Sequence, residues 1–297
     1  MVNMLQSIFI NLMLLNIVSC PPPIISNITN VCDCGKIDPT NSNYWPWLVK
    51  IRSRFADKVI DCQGVLISSF DILTAGHCVY SSKIGTSSLV TVYLPLTNPI
   101  SSQIEWIQQE VHRFKYDYRS TNTSHDIAVI NLIERAPDYY QPICLTSLEM
   151  MVSNGIVIGF NENIPKYNSI VHQSNVEIIS DCEFQRQHWL NFSKSTENNL
   201  GTFTGYDPIN FSIICGINSA SKNVSILNQD CQHIPGQPLI HKSTSDGRWF
   251  LDGIVSGTWF NNKHDCYHPF PTIYVSVLFY SEWIYFNSIE CCLNTDN

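Results

Sequence analysis

Short runs of β-branched and aromatic residues, each closed off by turn formers, recur along most of this chain and commit it to sheets. They fall at residues 47–51, 64–68, 89–94, 127–132, 155–160, 239–241, 250–256 and 272–277. The period changes only near the end, where Val277-Leu278-Phe279-Tyr280-Ser281-Glu282-Trp283-Ile284 spaces its apolar residues as a helix does and predicts a closing helix over 277–287. The strand-forming stretch covers about 240 residues, which suits two barrels side by side. There is no repeat, no low-complexity block and no second stretch long enough to span a membrane. The fold class is all-β.

Composition narrows the setting. A 297-residue chain with 44% hydrophobic and 14% charged residues can bury a sizeable core. Its 17 Lys+Arg against 25 Asp+Glu leave a formal charge of -8, and no basic run is present to neutralise a phosphate backbone or an anionic membrane surface. Nucleic acid is excluded as an expected partner. Twelve cysteines would need metal or risk oxidation in a reducing compartment, whereas an oxidising one makes them bridges. The N-terminus decides for the second. Residues 8–18 are an apolar run of secretory length, ending in Ser19 and Cys20 before three prolines, and residues 1–19 read as a signal peptide. A bare membrane anchor is the competing reading, but the run is shorter than the roughly 20 apolar residues a span needs. Acceptor triplets at Asn27, Asn122, Asn191, Asn210 and Asn223 agree with a glycosylated, secreted, extracellular protein, although an Asn-rich chain produces some by chance. Residues 20–43 hold prolines, cysteines and turn formers without apolar periodicity, and read as an extended leader.

The segment Asp61-Cys62-Gln63-Gly64-Val65-Leu66-Ile67-Ser68, followed by Leu73-Thr74-Ala75-Gly76-His77-Cys78, closely resembles the histidine region of trypsin- and chymotrypsin-like serine proteases. Further marks follow in the family's order. Trp45-Pro46-Trp47 resembles the first barrel strand, His125-Asp126-Ile127-Ala128-Val129 the aspartate segment, and Pro142-Ile143-Cys144-Leu145 the crossover between barrels. Gly253-Ile254-Val255-Ser256 resembles the strand beside the substrate backbone, and Pro271-Thr272-Ile273-Tyr274 with Trp283 the end of the second barrel. The resemblance covers residues 44–287. It implies two packed six-stranded antiparallel Greek-key barrels, at about 44–148 and 149–276, a C-terminal helix over 277–287 and a cysteine-containing tail over 288–297. It implies that Asp126 orients His77 and stabilises its charged form. It also implies the bridges Cys62–Cys78, Cys34–Cys144, Cys182–Cys215 and Cys231–Cys266, each worth typically about 2–4 kcal/mol. Cys20, Cys32, Cys291 and Cys292 are left over, and either join leader to tail or link two chains.

After Cys231 and Gln232, an active member of the family would carry Gly-Asp-Ser-Gly-Gly-Pro where this chain reads His233-Ile234-Pro235-Gly236-Gln237-Pro238. In this register Pro235 stands at the nucleophile position. Proline has neither hydroxyl nor thiol, so no atom is there to form an acyl-enzyme. It also lacks the backbone N–H that would help hold an oxyanion, and the other donor of that region would come from His233 in place of glycine. Ile234 replaces the aspartate that would pair with a new N-terminal amine, and the leader lacks a basic residue followed by Ile-Val-Gly-Gly. The specificity pocket would have Gln229 at its floor and Thr258 and Thr272 on its walls, with Gly257 beside Ser256 where the family has an aromatic residue.

These residues predict a pseudoprotease that works by binding proteins, as decoy, regulator or cofactor, with proteases, inhibitors or cell-surface proteins as partners. His77 and Asp126 are then a vestigial pair, and neither a metal nor another cofactor is expected. The long segments 189–207 and 258–267 are candidate contact loops. The competing enzyme reading is residual hydrolysis with His77 as base and Ser243 or Ser245 as nucleophile, although neither serine has the Gly-flanked turn that exposes one. A third reading, purely structural, predicts a disulfide-linked dimer.

Overall fold

Strand β1 (Leu48–Arg54) sets the pattern of the first barrel, because it alternates. Val49, Ile51 and Ser53 point inward and are buried, while Lys50, Arg52 and Arg54 form the outer row. The computed structural model describes residues 33–37, 45–97, 104–117, 125–147, 152–160, 171–179, 212–218, 234–257 and 272–290. After β1 come β2 (Val59–Leu66), β3 (Asp71–Thr74), the short ribbon β4 (Tyr80–Ser81) and β5 (Gly85–Thr86), then β6 (Leu89–Thr97), β7 (Ile104–Tyr116) and β8 (Ala128–Leu132). The order β1-β2-β3-β8-β7-β6 closes on itself through β1 and β6, all antiparallel. Closure leaves no open edge.

The second half follows β9 (Cys144–Leu145) with β10 (Asn154–Phe160), β11 (Val171–Ile179), β12 (Ile213–Asn218), β13 (Pro238–Lys242), β14 (Trp249–Gly257) and β15 (Thr272–Ser276). Strands β13-β10-β11-β12-β15-β14 form a second closed six-stranded antiparallel barrel, sealed by the β13–β14 pairing, and β9 adds in parallel to β14. The two-barrel expectation holds. One apolar cluster runs from Val49, Ile51 and Val65 of the first barrel to Ile158, Ile240, Ile254 and Ile284, so the barrels share a continuous core. A smaller cluster of Val157, Val176, Leu239, Val255 and Tyr274 fills the second barrel.

Three departures from the sequence reading have physical causes. Strand β7 was not marked by the sequence pattern, because a bulge between Val111 and Arg113 breaks its alternation. Strands β11 and β12 were also unmarked, and β11 buries only Ser174 and Val176 in a largely polar run. The closing helix α1 is shorter than 277–287 and occupies Ser281–Asn287. Val277 still donates its N–H to Asp252 O (2.9 Å) as a continuation of the sheet, and the chain turns through 277–280 before the helix begins.

The bridges Cys34–Cys144 and Cys62–Cys78 are present, with Cα separations of 5.0 and 6.1 Å. Cys215 is disulfide-bonded, while Cys182, Cys231, Cys266, Cys20, Cys32, Cys291 and Cys292 lie outside the described residues. The same holds for the five glycosylation-triplet asparagines and the segments 189–207 and 258–267. The described part of the leader is tacked to the second barrel, since Gly35 donates to Pro142 O (2.8 Å) and accepts from Trp249 N–H (2.8 Å). No helix among the described residues is long and apolar enough to cross a membrane.

The chain's far end is held by one buried carboxylate. Asp71, fully buried on β3, accepts from Ser68 Oγ–H (2.6 Å), Asn131 Nδ2–H (2.6 Å), Ile289 N–H (2.9 Å) and Glu290 N–H (2.9 Å). Ser69 Oγ–H and the Glu290 carboxylate add a further contact there. Removing this acceptor strands several donors at once. Asp71→Ala is therefore expected to destabilise the fold by roughly 2–4 kcal/mol in urea unfolding; a change within about 0.5 kcal/mol would show that the tail is not held this way.

Candidate functional site at the barrel seam

Strand β3 ends at Thr74, and the chain turns through Ala75 into a 3-10 turn at Gly76–Cys78 that carries His77. Two bonds fix this turn to β2: the Cys62–Cys78 disulfide and a hydrogen bond from Thr74 Oγ1–H to Gln63 O (2.6 Å). Asp126 lies just ahead of β8 and is almost fully buried. Its carboxylate receives His77 N–H on Oδ1 (2.7 Å), and His77 Nδ1–H (2.6 Å) and Ser256 Oγ–H (2.7 Å) on Oδ2. Ser256 comes from the other barrel. It sits where the β14–β15 register slips between Val255 and Gly257, a bulge that re-aims one side chain. Three donors satisfy a buried charge that would otherwise be costly.

The imidazole is half-open, with 38% of its side chain exposed against 4% for Asp126. Burial pushes the His77 imidazolium down, but the charge of Asp126 and its hydrogen bond outweigh that push and a smaller one from Lys58, so its pKa is raised. The unit is an oriented base, with one ring edge fixed by a carboxylate and the other towards solvent. Cys62 and Cys78 lie beside His77, but their sulfurs are bonded to each other and are not available as thiolate ligands.

The segment Ile234–Gln237 of the second barrel meets the first at Gln63 and Thr74. Pro235 precedes Gly236, whose φ is +86°, and Gln237 N–H donates to Ile234 O (3.2 Å). This is the arrangement of a type II turn, which favours proline at its second position and needs a positive φ at its third. A side chain at position 236 would lie 1.8 Å from Gln63 O, so only glycine fits. Every N–H in the segment is engaged. Ile234 donates to Gln237 Oε1 (3.1 Å), Gly236 to Val255 O (2.9 Å) and Gln237 to Ile234 O, while Pro235 has none to give. Pro235 O accepts from Gln63 N–H (2.9 Å), and Val255 N–H returns to Gln237 O (2.9 Å). Ile234 is buried.

Two glutamines hold this region, and the sequence reading missed their part. Gln63 clasps the backbone of Phe160 in both directions, donating from Nε2 to Phe160 O (2.9 Å) and accepting Phe160 N–H on Oε1 (2.9 Å). Gln237 occupies the space left by Gly159, where a Cβ would lie 1.9 Å from its Nε2. A second buried histidine–carboxylate pair was also missed. His241 Nδ1–H donates to Asp252 Oδ2 (2.7 Å), both 7% exposed, and His241 stacks on Phe250. Burial raises the Asp252 carboxyl, against the opposing pull of His241 and Thr146. Being closed to solvent, the pair braces the β13–β14 hairpin.

Of the expected pocket, Thr272 and Ser256 are buried on adjoining strands, and the space beside Gly257 is open. Tyr274 stands fully buried two residues beyond Thr272, its phenol raised by burial and drawn back by the Thr272 side chain. Gln229, Thr258 and His233 lie outside the described residues.

Paired six-stranded barrels, with a histidine and an aspartate of the first joined by a serine of the second, define the double-barrel class of serine proteases and their homologues. The chain belongs to the trypsin family, whose model, described as Trypsin, matches residues 35–284. Its relatives include an ovochymase from Halocynthia roretzi, 26% identical over 248 residues that make up 81% of this chain and 13% of that protein. The inactive serine protease PAMR1 of Xenopus tropicalis is 25% identical over 84% of this chain and 37% of its own length. Venom serine protease Bi-VSP of Bombus ignitus is 35% identical over 48% of this chain and 44% of its own. The matched part of each relative is thus less than half of that relative's length.

A raised pKa in the folded state means that the His77–Asp126 pair contributes stability below about pH 6.5, the ordinary imidazole value, and loses it as pH rises through the raised value. In an NMR titration His77 should titrate above that ordinary value, and the shift should disappear in Asp126→Asn; a His77 that titrates at or below it would contradict the geometry.

Proposed function

We propose that this protein is a secreted trypsin-family homologue that acts by binding other proteins and does not cleave peptide bonds. One observation carries the reading: the residue that the motif register puts at the nucleophile position is Pro235, held in a turn whose N–H groups all point into the protein. An oriented base is of no use without an atom to deprotonate, and proline offers neither hydroxyl nor thiol. At 235 it also withholds one of the two backbone donors that an oxyanion would need, a loss worth roughly 100- to 1,000-fold in rate. Ile234, apolar and buried, gives no carboxylate for an activating N-terminal amine. The His77–Asp126 pair, with Ser256, then serves the seam and not a reaction.

The name borne by one relative, an inactive serine protease, agrees with this reading at low identity. Secretion is supported by the disulfides and by the signal-like residues 1–19. Proteases, protease inhibitors and cell-surface proteins are the partners a rigid barrel with variable loops would suit.

The intact His77–Asp126 pair is the one feature that favours a hydrolase using another nucleophile. The serines weighed for that role are badly placed. Ser243 and Ser245 bond to each other (2.8 Å) at the hairpin turn between β13 and β14, whereas Ser256, which touches Asp126, lies at the opposite end of β14. Seven residue steps of strand separate Trp249 from Ser256, a distance of about 20 Å. The two readings part on a fluorophosphonate probe. Purified protein should remain unlabelled, with the same null result for His77→Ala; labelling that His77→Ala abolishes would establish an enzyme.

A further inference from the structure

The closing helix α1 is apolar on the side that a surface helix normally keeps polar. Tyr280, Ile284 and Ser288, one turn apart, form its inner face and are buried. At about 100° per residue, Phe286 points opposite to Ile284, and Phe279 and Glu282 share its side. Phe286 is 60% exposed, the highest value for a large apolar side chain among the described residues, and Phe279 is 42% exposed. Exposed Ile289 and half-buried Trp283 border the stripe. Both outward rings are propped edge-on by a neighbour, Phe279 by Tyr280 (5.0 Å) and Phe286 by Tyr285 (5.6 Å). Such a stripe marks a contact surface.

Charge and area narrow what covers it. Exposed Glu282 and Glu290 flank the stripe, and the chain's formal total is -8, so an anionic membrane surface would be repelled. A stable interface buries about 800 Å² on each partner, whereas a wholly buried aromatic side chain supplies about 150–250 Å². The stripe by itself therefore holds a partner weakly and needs a second attachment. One follows directly in the chain. Glu290, pinned by its N–H on Asp71 (2.9 Å), is succeeded by Cys291 and Cys292, which the family's bridges leave over. Adjacent Cα atoms lie about 3.8 Å apart, inside the roughly 4.4 Å that a disulfide normally needs, so the two are poor partners for each other. In a two-fold pair of identical chains, a residue near the axis meets its own copy.

We infer that a second copy of this chain covers the α1 stripe, Phe279 and Phe286 of one copy packing on those of the other, with a tail disulfide locking the pair. Two thiols, one from each copy, give up two protons and two electrons to the disulfide of a secretory-pathway oxidoreductase, which leaves as a dithiol. The bond turns a weak contact into an intramolecular one and raises its effective concentration. The paired face goes beyond the binding reading proposed above, and only the covalent step rests on the secreted part of that reading.

For the test, the full chain, purified without reductant, is sized by light scattering after gel filtration and run on gels with and without dithiothreitol. A dimer is expected in solution and on the non-reducing gel, collapsing to a monomer on the reducing one. Replacing both tail cysteines, Cys291→Ser with Cys292→Ser, should abolish the gel dimer and weaken the solution dimer about 100-fold or more. Phe286→Asp and Phe279→Asp, at exposed positions where circular dichroism should show an unchanged fold, should each weaken the dimer of the cysteine-free form about tenfold or more. A monomer by both measurements overturns the proposal. So does a dimer indifferent to both aspartate variants, or peptide mapping that joins Cys291 and Cys292 to Cys20 and Cys32 of the same chain. Monomer that binds phosphatidylcholine vesicles through Phe286 would assign the stripe to a lipid surface instead. Failure of the secreted reading looks different: the chain stays in the cell with its tail thiols reduced, while association that depends on Phe286 persists at high concentration. Fluorophosphonate labelling, which reports on His77, is blind to Phe279 and Phe286.

Discussion

A proline followed by a glycine at φ +86° gives residues 234–237 one compact way to turn, and the surrounding seam is arranged to receive it. Gln63 N–H reaches Pro235 O from the first barrel, and Val255 exchanges hydrogen bonds with Gly236 and Gln237 from within the second. The close approach of Gly236 to Gln63 O leaves no room for a side chain, so the turn and the β2 strand are shaped to each other. A segment held on this many sides is a structural joint. The described amides of the turn are spent internally.

The Asp126 carboxylate is the second joint, holding residues of both barrels. It takes two bonds from His77 in one barrel and one from Ser256 in the other. Losing either donor would leave part of a buried charge unsatisfied, so the trio contributes to cohesion. Gln63, which clasps Phe160 across the seam, works in the same sense. Joints of this kind let the outer faces change without disturbing the core.

Much of this was legible in the sequence, for local reasons. Runs such as 127–132 and 250–256 are mostly apolar and bounded by turn formers, so strands β8 and β14 announce themselves. The His77 and Asp126 motifs were legible through their resemblance to the family's segments. Strand β7 was hidden by a bulge that shifts its inward face midway, and β11 by its polar content. The glutamine locks could not be read, because Gln63 meets Phe160 across 97 residues and nothing local marks the meeting. The His241–Asp252 pair depends on a hairpin register that itself slips between Leu239 and Ile240.

Amide hydrogen exchange at the Pro235 turn tests the central claim most directly, since it reads whether those N–H groups are engaged. The account predicts that Ile234, Gly236 and Gln237 exchange as slowly as the buried amides of β14 and are unmoved by a peptidyl boronic acid. Rapid exchange at these amides, or a boronate-dependent shift in them, would mean that the turn is open and can hold an oxyanion, contradicting it.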